Sequence, residues 1–406
     1  MDNNQNKSES LNRNSRLQKW WRDPRAKIIG IAGVIIVVFI VTLSLLLKFV
    51  VFAPTKPVNS TTTITSTLTP LTTTTTTTST SSSTTTTTTT QRPSWSSTGN
   101  MNSPRSYHQA SVLTNGKVLV TGGYNYNHSL SSAELYDPST GTWTMTGNMH
   151  NARYKHKSSV LKDGKVLVIG GVSNGVSTKS AELYDPTTGN WTVTVTGGSG
   201  ERDSERSAEL YDPLTGEWTR TGDMHIERIS HTASILKDGK VLVTGGGFAD
   251  YGSSTELYDP VTGNWTLTSR MHHGRGGHTA SVLKNGTVLV VGGDSSTGAA
   301  YTAEFYDLAT GNWTITGRLI TTRWYHTASV LINGKLLVAG GSIAGYNITE
   351  LYDPSTGNWS SAGNMKSARK DHAASILTNG KVLVTGGDDN GIYLNGAELY
   401  DPVTET

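Results

Sequence analysis

Beyond position 93, apolar residues come in short runs broken by glycine-rich turns, and the same arrangement returns every 46 to 48 residues. The clearest copy runs from Arg275 to Trp313, as RGGHTASVLKNGTVLVVGG, a variable stretch, and then TAEFYDLATGNW. Four strands are predicted in each copy. The first mixes polar and apolar positions, as in His326 to Leu331. A turn follows at Asn115-Gly116, Asp163-Gly164, Asp238-Gly239, Asn285-Gly286, Asn333-Gly334 and Asn379-Gly380. These pairs suit a two-residue type I′ hairpin, in which both turn residues take positive φ. The second run (KVLV and its variants) is nearly all apolar, as expected of a strand buried on both faces. Gly-Gly closes it, a variable loop follows, and AELYD or TELYD makes the third strand. Asp-Pro-x-Thr-Gly then turns the chain into a fourth strand that opens on Trp.

The markers recur in register. The glycine pairs are Gly122-Gly123, Gly170-Gly171, Gly245-Gly246, Gly292-Gly293, Gly340-Gly341 and Gly386-Gly387. The tyrosines of the third strand are Tyr136, Tyr184, Tyr258, Tyr306, Tyr352 and Tyr400, with an out-of-step copy at Tyr211. Trp143, Trp191, Trp265, Trp313 and Trp359 open the fourth strands, each seven positions after its tyrosine. A period this long, made of four short strands, predicts a β-propeller blade. Double glycine, Tyr and then Trp resembles the kelch repeat, over nearly all of residues 95–402. The resemblance implies an all-β propeller of six to seven four-stranded antiparallel blades, one of them incomplete, around a central channel. Two departures carry information. The last copy ends at Asp401-Pro402 without its Trp strand, while Trp95 opens a Trp strand that has no blade, so the two together predict one blade that closes the ring. The copy at Tyr211 follows Tyr184 after only 27 residues and lacks its Arg, its His and its hairpin. It makes either an extra hairpin on a six-bladed ring or a deficient seventh blade, and the count leans to seven positions.

The first ninety residues read differently. Ile28 to Leu47 is twenty residues without a charge, and the apolar run resumes at Phe49 to Phe52. That length spans a ~30 Å hydrocarbon layer as a helix. Seven basic residues precede it, so the positive-inside rule predicts a type II single-pass protein with a cytoplasmic N-terminus and an extracellular or lumenal propeller. Between Ser60 and Thr90 only Ile64, Leu68, Pro70 and Leu71 are neither Ser nor Thr. This composition predicts a disordered, mucin-like stalk. The expected organisation is a basic tail at 1–27, a transmembrane helix at 28–52 in the lipid bilayer, a stalk at 53–92 and a propeller at 93–406. Asn-x-Ser/Thr sequons at Asn59, Asn127, Asn190, Asn264, Asn285, Asn312, Asn347 and Asn358 are candidate glycosylation acceptors.

Charge and composition narrow the chemistry. The formal net charge of +3 hides +4 in residues 1–27 and +2 from Lys48 and Lys56, leaving −3 for the remainder. The propeller is therefore not expected to bind nucleic acid. With no cysteine there are no disulfides, no thiolate metal sites and no cysteine nucleophile. Galactose-oxidase-like enzymes resemble this fold, but their crosslinked cofactor needs a cysteine. No catalytic motif stands out, and neither a cofactor nor a metal is expected. The strongest polar pattern is Arg-x-x-His ahead of each first strand: Arg105/His108, Arg153/His156, Arg228/His231, Arg275/His278, Arg323/His326 and Arg369/His372. The kelch resemblance puts this connection at the channel mouth, where a ring of guanidinium groups is a candidate site for carboxylates, sulfates or phosphates. The alternative is that each Arg or His ties blades together, which repetition in every blade favours. Trp324, Tyr325 and Asp371 break the symmetry nearby. The expected function is a cell-surface binding or adhesion protein that recognises an extracellular protein or glycan, an acidic one suiting the ring. A carbohydrate-active enzyme and a structural spacer are the alternatives.

Overall fold

The computed structural model describes residues 93–126, 128–194, 206–246, 252–294, 299–341 and 347–402. Six antiparallel four-stranded sheets make up nearly all of it. The first blade comprises Gln109–Val112, Val118–Thr121, Ala133–Asp137 and Thr142–Met145. The second, third, fourth and fifth repeat that order from Lys157–Val160, Thr232–Ile235, Thr279–Val282 and Thr327–Val330. The sixth takes Ala373–Ile376, Val382–Thr385 and Ala397–Asp401 from the end of the described chain and Ser94–Ser97 from its beginning. Trp95 pairs with Tyr400 in register, and their rings stand 5.2 Å apart. The expected closure by the Trp95 strand is therefore present. It removes the free sheet edges that an open ring would leave.

The second strand of every blade is buried along its length, as its apolar run predicts. Valines and leucines from these strands pack against the tyrosine and tryptophan of the neighbouring blade's outer strands. Tyr136, Tyr184, Tyr258 and Tyr306 are at most 1% exposed, and each stacks on its own blade's tryptophan with ring centroids 5.0–5.2 Å apart. Burial of such aromatic area is a large part of what joins the blades.

The hairpin turns differ from expectation. Leu113 accepts from the Gly116 N–H and donates to Lys117, so the loop is three residues, Thr114 to Gly116. Only the glycine takes positive φ, 80° at Gly116, while the Asn115 side chain accepts the Lys117 N–H. This is a turn with a glycine bulge rather than type I′. A three-residue loop needs positive φ at one position, and the Asn or Asp before it serves as a side-chain cap.

Six complete blades replace the expected seven positions. The short copy forms only a two-stranded hairpin, Glu209–Tyr211 with Trp218–Arg220. It packs on the second blade through Tyr211 and Trp218 and on the third through Ala208 and Leu210. It is thus the outer half of a blade wedged between two whole ones.

The single-pass membrane placement is corrected. Apart from a short turn of 3-10 helix at Ala299–Tyr301, the described chain is strand and loop, and no helix in it is long and apolar enough to cross a membrane. The tail at 1–27, the apolar run at 28–52 and the stalk at 53–92 lie outside the described residues. An extracellular or lumenal side for the propeller falls with the anchor that implied it.

Candidate functional site

The six arginines do not form an open ring of guanidinium groups. All are buried, at most 2% exposed, and each donates to the glutamate of the third strand in its own repeat at 2.5–2.9 Å. A second nitrogen donates at 2.6–3.0 Å to the carbonyl of Gly122, Gly170, Gly245, Gly292, Gly340 or Gly386. The other glutamate oxygen accepts a backbone N–H, from Asn102, His150, His225, His272, Ile320 or Lys366, at 2.6–2.7 Å. Burial alone would raise the Glu182 carboxyl. The His150 and Asn151 N–H groups, with Arg153, outweigh it and hold the group below the usual range. These clamps fasten each incoming connection to the blade it enters. Their terminal nitrogens are engaged within the blade and the side chains are buried, so the arginines do not present an open anion ring, although the Nε atoms of Arg275, Arg323 and Arg369 have no partner among the described residues. The glycine pairs serve the same joints: a Cβ at Gly122, where φ is 56°, would stand 2.4 Å from the Arg153 carbonyl of the next blade.

The six histidines do reach the channel. His108, His156, His231, His278, His326 and His372 all line a mouth cavity of about 600 Å³. Five of them bond a threonine of the preceding blade through Nε2: His108 to Thr385 at 2.8 Å, His156 to Thr121 at 2.9 Å, His278 to Thr232 at 2.8 Å, His326 to Thr279 at 2.9 Å and His372 to Thr327 at 2.9 Å. Burial, then the neighbouring arginines, lowers every one of their pKa values, to about 3 for His231, His278 and His372. The five that bond a threonine are neutral ties between blades.

The position just before each histidine carries the variation. Tyr107, Lys155, Ser230, Gly277, Tyr325 and Asp371 all adopt left-handed backbone, with φ of 52–61°. That conformation costs a non-glycine residue about 1 kcal/mol or more and persists only where the surroundings impose it. Here a belt of backbone bonds imposes it. Asp371 donates to Tyr325 at 3.2 Å, Tyr107 to Asp371 at 2.8 Å, Lys155 to Tyr107 at 2.9 Å, Gly277 to Ser230 at 3.3 Å and Tyr325 to Gly277 at 3.1 Å. The same backbone conformation thus brings five residue types, tyrosine twice, to one cavity. Tyr325 and Asp371 belong to it, whereas Trp324 is not among the lining residues. The sequence marks this position at Tyr325 and Asp371, which break the symmetry, but not at Tyr107, Lys155, Ser230 or Gly277.

Charge around the mouth is lopsided. Asp371 is the one carboxylate among the lining residues, and burial raises its pKa to about 6. Burial and that carboxylate in turn raise the Tyr107 hydroxyl. Across from it the Lys155 ammonium lies 4.7 Å from the centre of the Tyr107 ring, and Lys157 stands two residues further on. No group of His, Asp or Glu that could hold a metal occurs among the described residues. Of the sequon asparagines, Asn190, Asn264, Asn285, Asn312 and Asn358 are exposed, Asn347 is half-buried and donates to the Met365 carbonyl, and Asn59 and Asn127 lie outside the described residues.

Two family models match the chain. The KLHDC2/KLHL20/DRC7 Kelch-repeats domain covers residues 230–406, and the Kelch motif covers residues 105–150 and 153–194. No curated protein matches it. The matched segments take in five of the six Arg-x-x-His connections and the closing blade, and with the six sheets around one channel they make this chain a kelch-repeat β-propeller protein.

Proposed function

We propose that the protein is a non-catalytic recognition module that binds a protein partner at the channel mouth, through the residues preceding the six histidines. One observation carries the reading: Tyr107, Lys155, Ser230, Gly277, Tyr325 and Asp371 all hold the same left-handed backbone, five of them through N–H bonds of the belt, while five residue types occupy the six positions. A purely structural ring has no use for that variety at its most solvent-facing position, and a spacer would have no use for the strain. Two tyrosines, a lysine and an aspartate around a concave opening suit a peptide or loop with both apolar and charged groups. Of the set, Tyr107 stands beside a carboxylate, Asp371, but burial and that contact raise its hydroxyl pKa instead of activating it, so recognition is favoured over turnover.

Selection of a displayed peptide library on the full chain tests this. The Tyr107→Asn/Tyr325→Asn double variant keeps residues that tolerate left-handed backbone. It is expected to weaken the selected peptides about tenfold or more, as loss of two aromatic anchors does. Asp at the exposed Val261, on a turn between outer strands, is expected to change nothing. Selected peptides that bind the double variant as well as the parent would contradict the reading.

A further inference from the structure

The joint between the second and third blades lacks three bonds that the other five joints possess. The belt of backbone bonds stops at Lys155, and no bond links it to Ser230. Gly123, Gly246, Gly293, Gly341 and Gly387 each donate to the arginine carbonyl of the following blade, whereas Gly171 makes no such bond to Arg228. The Nε2 of His231 has no partner, although the side chain is only 7% exposed. The cause is the half-blade: among the described residues it brings two outer strands and no inner ones, so none of them supplies the threonine and the carbonyl found at the other joints. Beside this notch lies Lys157, where the other blades carry Gln109, Thr232, Thr279, Thr327 and Ala373. Lys157 is exposed to the channel yet crowded enough that burial lowers its pKa, enters no ion pair among the described residues, and is near enough to His231 to disfavour its protonation.

We propose that this notch is a subsite for a single carboxylate, supplied by an acidic side chain of the protein partner. The inference rests on the recognition reading above. Lys157 provides the charge, His231, both of whose ring nitrogens lack a partner among the described residues, provides a donor in its Nε2–H tautomer, the Ser230 N–H provides a second, and the single lining carboxylate, Asp371, belongs to the sixth blade. One ammonium and two neutral donors match a monoanion. A phosphate dianion is best matched by bidentate guanidinium groups or several cations, whereas the six nearby arginines are buried in glutamate clamps and leave one ammonium here. The buried, unbonded imidazole nitrogen is an unfilled donor that a carboxylate oxygen would satisfy.

The test follows the histidine ring resonances of the full chain by NMR during addition of three probes at matched ionic strength. They are sodium acetate, a capped Gly-Ser-Glu-Ser-Gly peptide and its Gln counterpart. Acetate and the Glu peptide are expected to shift His231 saturably and leave the other five buried rings in place, while the Gln peptide does nothing. Lys157→Thr installs the residue that three other blades carry at this position, so the fold is retained. It should weaken the effect at least tenfold, and Lys157→Arg should preserve it. A His231 resonance that does not move, or that moves equally in Lys157→Thr, overturns the site. Acetate that binds while the Glu peptide is excluded overturns its assignment to a partner's side chain. Library peptides that still depend on Tyr107 and Tyr325 while His231 is silent would leave the recognition reading standing and remove only this subsite.

Discussion

Five joints of the ring and the sixth are built from the same repeat, and they differ in what the repeat was given to work with. At the first blade's joint with the second, Gly123 bonds Arg153, His156 bonds Thr121 and Lys155 bonds Tyr107. At the joint between second and third, none of the equivalent bonds forms. Packing nevertheless persists there, because Tyr211 and Trp218 of the half-blade cover the second blade while Ala208 meets the third. Apolar contact from outer strands is therefore enough to keep the wheel together, and the inner strands are what make its channel wall continuous. A deletion in one repeat leaves the fold standing and opens a polar notch where the ligand face is.

Acid is the harshest way to break both kinds of joint at once. An unfolded histidine takes up a proton near pH 6.5, while the folded ones resist it, His231, His278 and His372 down to about 3. Below pH 6.5 the unfolded chain therefore binds more protons, and stability present above that pH is lost as pH falls. At about 1.4 kcal/mol per pH unit for each fully resisting group, lowering the pH to 5 should cost these three together on the order of 6 kcal/mol. Asp371, raised to about 6, opposes this as a single group. Urea midpoints taken from pH 7 to 4 check the sign, and a midpoint that holds steady to pH 4 would contradict it.

Next in size is the clamp. Arg275→Ala strands the Glu304 carboxylate in a buried site and should cost about 3–5 kcal/mol. Glu209 of the half-blade has no buried clamp arginine among the described residues, with only Lys179 and the cross-strand Arg220 near it, one of its oxygens is buried without a partner, and burial raises its pKa. Glu209→Gln should accordingly cost less than about 1 kcal/mol. Equal urea midpoints for the two variants would erase the distinction between whole and half blades.

The closing strand falls between these and the smallest effect. Trp95→Ala removes a half-buried indole that stacks on Tyr400 and donates to Thr349 at 3.1 Å, for a loss of about 2–4 kcal/mol. An unchanged thermal midpoint would mean that the ring closes without it. Smallest is the single hydrogen bond that separates two histidines. His156→Leu should cost about 1 kcal/mol more than His231→Leu, since only the former gives up a bond to threonine.

How far the sequence foretold this depends on where symmetry holds. Strand order, the glycine pairs, the Tyr–Trp stacks and the closure by Trp95 all follow from residues that repeat, because each blade must solve the same packing problem. The arginines were legible as a pattern but not in role. Arg275 and Glu304 lie 29 positions apart, and only the fold shows that the two are paired and buried in one clamp. The hairpin misread has a similar cause: Asn115-Gly116 fits a two-residue turn by composition, and the loop's extra residue, Thr114, is visible only in the hydrogen bonds. The mouth residues Tyr107, Lys155 and Ser230 were hidden because they do not repeat. So was the notch, since Lys157 and His231 come together only across an omitted pair of strands.

Amide hydrogen exchange at one position tests the account most directly. Lys155, Tyr107, Gly277, Tyr325 and Asp371 each have their N–H in the belt, and these five amides should exchange slowly. Ser230 occupies the same place in its blade with no blade behind it, and its amide should exchange at least tenfold faster. A Ser230 amide as protected as the other five would mean that the channel wall is unbroken, with neither an open joint nor a notch.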